Sequence, residues 1–407
     1  MSWYSLGFSD CPFKTDPIEN GTLDLFVGHT EKISACIELL KDKSIKMVIE
    51  GARGVGTTSF ANYLRFNSQK NKCYFTPRSE IRVEPNWTTE TLLAAIVSNT
   101  VREIEITQNK KIAKDKRFVA AKALTQRISD TYQSMGITAF GVGASYGKSM
   151  SISQPVIVPS SIIGHQLEDL AVLVTELGYK NGLLIQLNNL DIGAIHSEEH
   201  LSYLFNMLRD YMQTPYTGWL LVGDENLRSF IARKVDRVDD IITYETIIKP
   251  VSKADFHKLI KKRVEFYRKD ENTTLPIAKD VFDYLYDVTD GRLRYIFGLL
   301  NRIWSNLPIG DLINMLTLEL AKPMVAELAK TRIKANKLSL GEEDILLSIV
   351  TLKRAGVKEL IDYTKKSRVF VSRTVNKLLE LKLVNMTKEG TARLYAPELD
   401  AKIAYIN

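Results

Sequence analysis

Nine residues constrain this chain of 407 more than any other stretch. Residues 51–59 read GARGVGTTS. A phosphate-binding loop has the pattern G-x-x-x-x-G-K-[ST] between a strand and a helix, and Gly51, Gly56 and Thr58 fall in its register. The flanks agree with it. IKMVIE (45–50) is a short apolar run before the loop, and SFANYLRF after it sets Phe60, Tyr63 and Leu64 at helical spacing. In such a loop the backbone N–H groups and the helix N-terminus cradle phosphate, and the lysine reaches the β- and γ-phosphates. Here the lysine position holds Thr57. Arg53, Gly54, Val55 and Ser59 complete the expected nucleotide cradle, and the Thr58 hydroxyl is the expected metal ligand, through Mg²⁺. The alternative is a glycine-rich turn in some other α/β protein.

The rest of the chain fits around this unit. From Ile45 to about Ile248, apolar β-type runs (KMVIE, YFTPRSEIRV, LLIQL, WLLVG, TYETIIK) alternate with helical patterns, which predicts a parallel α/β sheet. Between 108 and 165 this rhythm breaks. A basic stretch (NKKIAKDKR) and a helix through Ser129 lead to GITAFGVGASYGKSMSISQPVIV, whose alternation and glycines predict an inserted β-hairpin before a helix from Gln166 to Leu177. The small residues there suit either close approach to a partner or a surface loop. From Val251 to about Ala335 the pattern is helical, with Ser252 as N-cap and Asp255 at N3, then helices over Asp280–Val288, Arg292–Trp304 and Ile313–Lys330. The expected domains are therefore 1–250, 251–335 and 336–407. No run approaches the ~18 apolar residues of a membrane span. Three widely spaced cysteines suit reduced thiols, so a cytoplasmic chain is expected.

At this point the residues resemble an AAA+ P-loop ATPase of the initiator kind, close in layout to origin-recognition initiators and transposition regulators. The resemblance covers about residues 20–330 and rests on the order and spacing of five boxes. It implies ATP or ADP as ligand, with Mg²⁺, and a homo-oligomer with an effector or recombinase-type partner. DLFVGH (24–29) is similar to the adenine-side box and implies base contacts from Phe26, Val27 and Gly28. GWLLVGDENLRSF looks like the sensor-1 strand, with Asn226 or Asp224 near the γ-phosphate. Arg237 sits where an arginine finger is often found, and Arg294 where the sensor-2 arginine reaches the phosphates; both also suit surface ion pairs. In such ATPases the strand beside the P-loop strand ends in Asp-Glu, which holds Mg²⁺ and polarises water. The matching strand, GLLIQLNNLD, carries Asn188 and Asn189 there. An amide is neutral and is no general base. Asp191 could replace the acid only if the strand end bends, and LLIQLNNLD also suits a plain core strand capped by a turn. The candidate catalytic residues are thus Asn188, Asn189, Asp191 and Arg237, with two of the five boxes lacking their chemical groups. HSEEH (196–200) lacks further ligands and reads as structural.

The net charge is +7, and residues 331–407 carry +6 of it, with 15 Lys/Arg against 9 Asp/Glu. Such asymmetry points to an anionic partner. Helical patterns over Glu342–Lys353, Val357–Thr364 and Val369–Leu381, then two β runs turning at Lys388-Glu389-Gly390, resemble a winged helix. That resemblance implies DNA contacts from Ser367, Arg368, Ser372, Arg373, Asn376 and Lys377 on or before the third helix, and from Arg393 on the wing. Protein contacts through the same unit are the alternative. Three functions remain open: a nucleotide-switched DNA-binding assembly protein with little hydrolysis, an active ATPase in which Arg53 and Asp191 replace the missing groups, and a regulatory or defence-system binder with a vestigial nucleotide fold.

Overall fold

The computed structural model describes residues 2–134, 158–192, 195–306, 315–389 and 392–405. They form two compact units, Asp16–Val251 and Met1–Thr15 with Ser252–Asn407. The domain expected over 1–250 thus begins at Asp16. The residues before it are held in the other unit by aromatic packing: Phe8 and Phe13 are fully buried, and the rings of Trp3 and Trp304 stack with centroids 4.7 Å apart.

The unit Asp16–Val251 runs α1 (Thr30–Leu39), β1 (Lys46–Gly51), α2 (Thr57–Lys70), β2 (Ile81–Arg82), α3 (Thr89–Ile112), α4 (Lys116–Ser134), α5 (Ser160–Glu176), β3 (Leu183–Asn188), α6 (Glu198–Met212), β4 (Thr217–Gly223), α7 (Leu227–Lys234), α8 (Asp236–Asp239) and β5 (Tyr244–Ile248). Its strands pair in parallel in the order β2-β3-β4-β1-β5. The α/β fold class read from the sequence is present. Strand alternation divides the apolar residues between two cores. Met47 and Ile49 of β1, with Leu220 of β4, meet Cys36, Phe60 and Leu64 on one face. Val48, Ile185, Leu187, Trp219 and Leu221 meet Leu93, Leu167, Leu170 and Leu204 on the other.

Two expected boundaries shift. YFTPRSEIRV contributes only Ile81–Arg82 as β2, with Phe75 making a lone bridge to Leu183. Pro77 has no N–H for a ladder. The carbonyls of Pro77 and Arg78 instead accept from the Arg65 guanidinium, Arg78 at 2.7 Å. The helix expected from Gln166 starts at Ser160. The expected glycine-rich hairpin lies outside the described residues.

The other unit contains α9 (Lys253–Tyr267), α10 (Lys279–Val288), α11 (Leu293–Asn306), α12 (Leu318–Ala335), α13 (Leu340–Leu352), β6 (Ala355–Gly356), α14 (Val357–Thr364), α15 (Arg368–Glu380), β7 (Val384–Glu389), β8 (Ala392–Pro397) and α16 (Leu399–Tyr405). Ser252 caps α9 by accepting from the Asp255 N–H at 3.1 Å. Ser339 and Glu342 form a capping box at α13. The last three strands make an antiparallel sheet in the order β6-β8-β7. Neither β6 nor α16 is visible in the sequence pattern, one because it spans two residues, the other because it follows the wing directly.

Candidate functional site

The loop after β1 is shaped by its glycines. A Cβ on Gly51 would stand 2.5 Å from the Ile248 carbonyl oxygen of β5, so the neighbouring strand demands glycine there. Gly54 and Gly56 have φ of 93° and 106°, the left-handed region that L side chains avoid. Among the described residues, the backbone N–H groups of Gly54, Gly56, Thr57, Thr58 and Ser59 have no intramolecular acceptor. Five donors at the start of a fourteen-residue helix make an anion cradle. Arg53 is exposed beside it and forms no ion pair among the described residues.

The end of β3 closes one side of this cradle. The Asn188 Nδ2 donates to the Thr58 hydroxyl at 3.4 Å, and its Oδ1 accepts from the Gln186 Nε2 at 2.9 Å. Gln186 and Asn188 are 2% and 3% exposed. Asn188 and Thr58, named separately in the sequence reading, are therefore in contact. Gln186 was not anticipated, although a polar residue inside the buried run LLIQLN was its signal. Asn189 has φ of 64°, so the strand ends in a sharp left-handed turn that asparagine tolerates. Asp191 lies beyond that turn, its carbonyl accepting from the Ile195 and His196 N–H groups, both at 3.2 Å. Burial pushes the Asp224 carboxyl up, the Asn226 N–H at 3.1 Å draws it down, and nearby Asp191 adds to the rise. Burial likewise raises Glu50, which accepts from the Arg228 N–H of α7 at 2.8 Å and so ties the P-loop strand to the segment after β4.

The segment before α1 packs on the first turns of α2. The Phe26 ring lies 4.7 Å from that of Tyr63 and 6.3 Å from that of Phe60. Gly28 and His29 turn through positive φ, and the His29 ring meets Phe60 edge-on at 6.0 Å. The Ser59 hydroxyl accepts from the Ile18 N–H at 3.2 Å, and Asn62 donates to the Ile18 carbonyl at 2.8 Å. Ser59 thus anchors this segment with its side chain. Of the adenine-side box, Phe26 packs on α2 through Tyr63 and Phe60.

The remaining candidates are spread out. Asn226 is exposed at the start of α7, and Arg237 is 59% exposed in an ion pair with Asp210 at 3.3 Å. Arg294 is exposed on the first turn of α11, in the other unit. In HSEEH, Ser197 caps α6 and the His200 Nε2 lies 2.9 Å from the Trp87 carbonyl oxygen. Among the described residues no group of three or more His, Cys, Asp or Glu suits a metal ion, and no helix is long and apolar enough to cross a membrane.

On α15, Ser367 accepts from the Phe370 N–H at 3.3 Å as N-cap. Arg368, Arg373 and Asn376 are exposed, Ser372 is half-buried, and Arg393 is exposed on β8. Lys377 differs from these. Its ammonium is held at 2.7 and 2.8 Å by Glu342, and this pairing holds the Glu342 carboxyl below its usual range. Arg354, absent from the sequence candidates, is exposed and donates to Thr387 on β7 at 2.7 Å.

No family model matches this chain, and no curated protein matches it. Solved structures do align along its length. Aeropyrum pernix ORC2, in its ADPNP–ADP complexes, is 16% identical over 92% of this chain and 91% of that chain, with a TM-score of 0.49. Aeropyrum pernix ORC1 in complex with DNA is 15% identical over 94% of both chains, with a TM-score of 0.47. The Walker-type ATPase paby2304 of Pyrococcus abyssi is 12% identical over 97% of this chain and all of that chain, with a TM-score of 0.48. Likeness at this level assigns no function.

Proposed function

We propose that this chain is an AAA+-like protein that binds a nucleotide and DNA, with the nucleotide held as an assembly or switching ligand and turned over slowly or not at all. One observation carries this reading. The cradle keeps five backbone N–H groups without an intramolecular acceptor among the described residues, while the Mg²⁺-side position beside Thr58 holds the amide of Asn188 and the next position, where a carboxylate would polarise water, holds the amide of Asn189. Binding through backbone donors survives loss of the lysine, because the donors and the helix dipole are properties of the main chain. Hydrolysis needs a group that orients and activates water, and a neutral amide cannot take its proton.

The DNA half rests on α15. Arg368, Arg373 and Asn376 are exposed on it, and Arg393 is exposed on β8. Arginine and asparagine pair with guanine and adenine edges in a major groove. We take residues 336–407 as a winged-helix domain, 251–335 as a helical lid, and Arg294 as its phosphate-reaching residue. Arg237 is the candidate contact with a second copy.

The test uses one purified sample of the full chain. Calorimetry with ADP and ATP should show binding, phosphate release should stay at the buffer background, and affinity for duplex DNA should change when nucleotide is added. Absence of binding to either nucleotide, or turnover well above background that Asp191→Ala abolishes, would overturn the reading.

A further inference from the structure

We infer that the cradle takes a nucleoside diphosphate without a divalent metal ion. The inference rests on the nucleotide function proposed above and concerns what accompanies the ligand. Mg²⁺ demands six oxygen ligands in near-octahedral array, usually one or two carboxylates with phosphates and water. At the Thr58 hydroxyl, where a P-loop holds this ion, the adjoining strand presents an NH₂ group at 3.4 Å. The oxygen of the same amide is occupied by Gln186 at 2.9 Å. An amide donor carries partial positive charge towards the place a cation would take. Turned over together, the two amides would still offer no anion. The residue after them, Asn189, is neutral and spent on a left-handed turn. The donor set does not fit magnesium.

The same accounting sets the phosphate number. A third phosphate adds negative charge that a P-loop lysine and the metal normally offset. Thr57 supplies none, and Arg53 is the sole cation within the nine-residue loop. Five backbone donors suit the terminal phosphate of a diphosphate.

The experiment titrates the full chain with ADP and with ATP by calorimetry, in EDTA and in excess MgCl₂. The inference expects the ADP dissociation constant to differ less than about threefold between the two buffers, with ATP in EDTA binding no tighter than ADP. Tightening of about tenfold or more by Mg²⁺ for either nucleotide overturns metal independence, and tighter ATP in EDTA overturns the diphosphate assignment. No binding in any buffer sinks the nucleotide function itself, a separate failure. Asn188→Asp places a carboxylate beside Thr58 and should create the missing dependence, with Mg²⁺ tightening ADP at least about tenfold. An Asn188→Asp protein as indifferent to Mg²⁺ as the parent would refute Asn188 as the excluding group.

Discussion

Arg65 offers a severe test of how the P-loop unit is held together. It lies on α2 and is 1% exposed. Its guanidinium donates to the carbonyls of Pro77 and Arg78, to the Asn62 Oδ1 at 3.2 Å, and faces Glu80 at 3.7 Å. Burial pulls its pKa down to about 10, with Glu80 the leading charge pulling back, so it stays protonated at neutral pH. Arg65→Met keeps volume and removes every donor. Three acceptors, two of them buried, lose their partner at about 1 kcal/mol or more each, and Glu80 keeps only Arg82, so the unit should lose about 4 kcal/mol. With a urea m-value of about 3 kcal/mol/M, the midpoint should fall by about 1.3 M. Arg65→Lys should recover little, since an ammonium cannot serve a fork of three acceptors. Tryptophan fluorescence in a Trp3→Phe, Trp304→Phe background isolates this unit, because the chain's other two tryptophans, Trp87 and Trp219, belong to it. A loss under about 1 kcal/mol, or full rescue by lysine, would refute the account.

Three further outcomes follow from named contacts. Asn189→Gly should leave thermal stability nearly unchanged, whereas Asn189→Val should cost about 1–2 kcal/mol, because a β-branched residue resists the left-handed turn. Asp115 and Glu176 are both held below the usual carboxylate range, chiefly by hydrogen bonds from Arg117. Their contribution is present above the unfolded values near about pH 4 and is lost as pH falls through the lower folded values; melting temperature against pH should lose that acid limb in Arg117→Ala. Arg373→Ala should weaken DNA binding and lower the salt slope by about 1, while Lys377→Ala should do less, since Glu342 already holds its ammonium. Equal losses for the two in a salt titration would contradict the assignment.

The loop was legible because its glycines answer to local backbone conformation: Gly54 and Gly56 take positive φ, and the register of Gly51, Gly56 and Thr58 is visible in the sequence. The strands β1, β3 and β4 were legible because both faces are buried and each reads as a continuous apolar run. The chain Gln186–Asn188–Thr58 was not, since it joins residues about 130 positions apart through side-chain geometry. Arg65 escaped for a similar reason. Helical periodicity marks Phe60 and Leu64 as core, but a charged residue directly after Leu64 reads as surface until its acceptors in 77–80 are in place. That same capture cut β2 from ten expected residues to two.

The sheet's two edges have a consequence for self-association. At one edge β2 offers two residues, and the carbonyls of Pro77 and Arg78 before it are taken by Arg65. At the other, the Ile247 carbonyl of β5 accepts from the Lys32 ammonium. An incoming strand from another chain would find few free ladder groups along β2. At the β2 edge the Asp16–Val251 unit is therefore guarded against strand addition, and any assembly there must be built from helix and loop side chains.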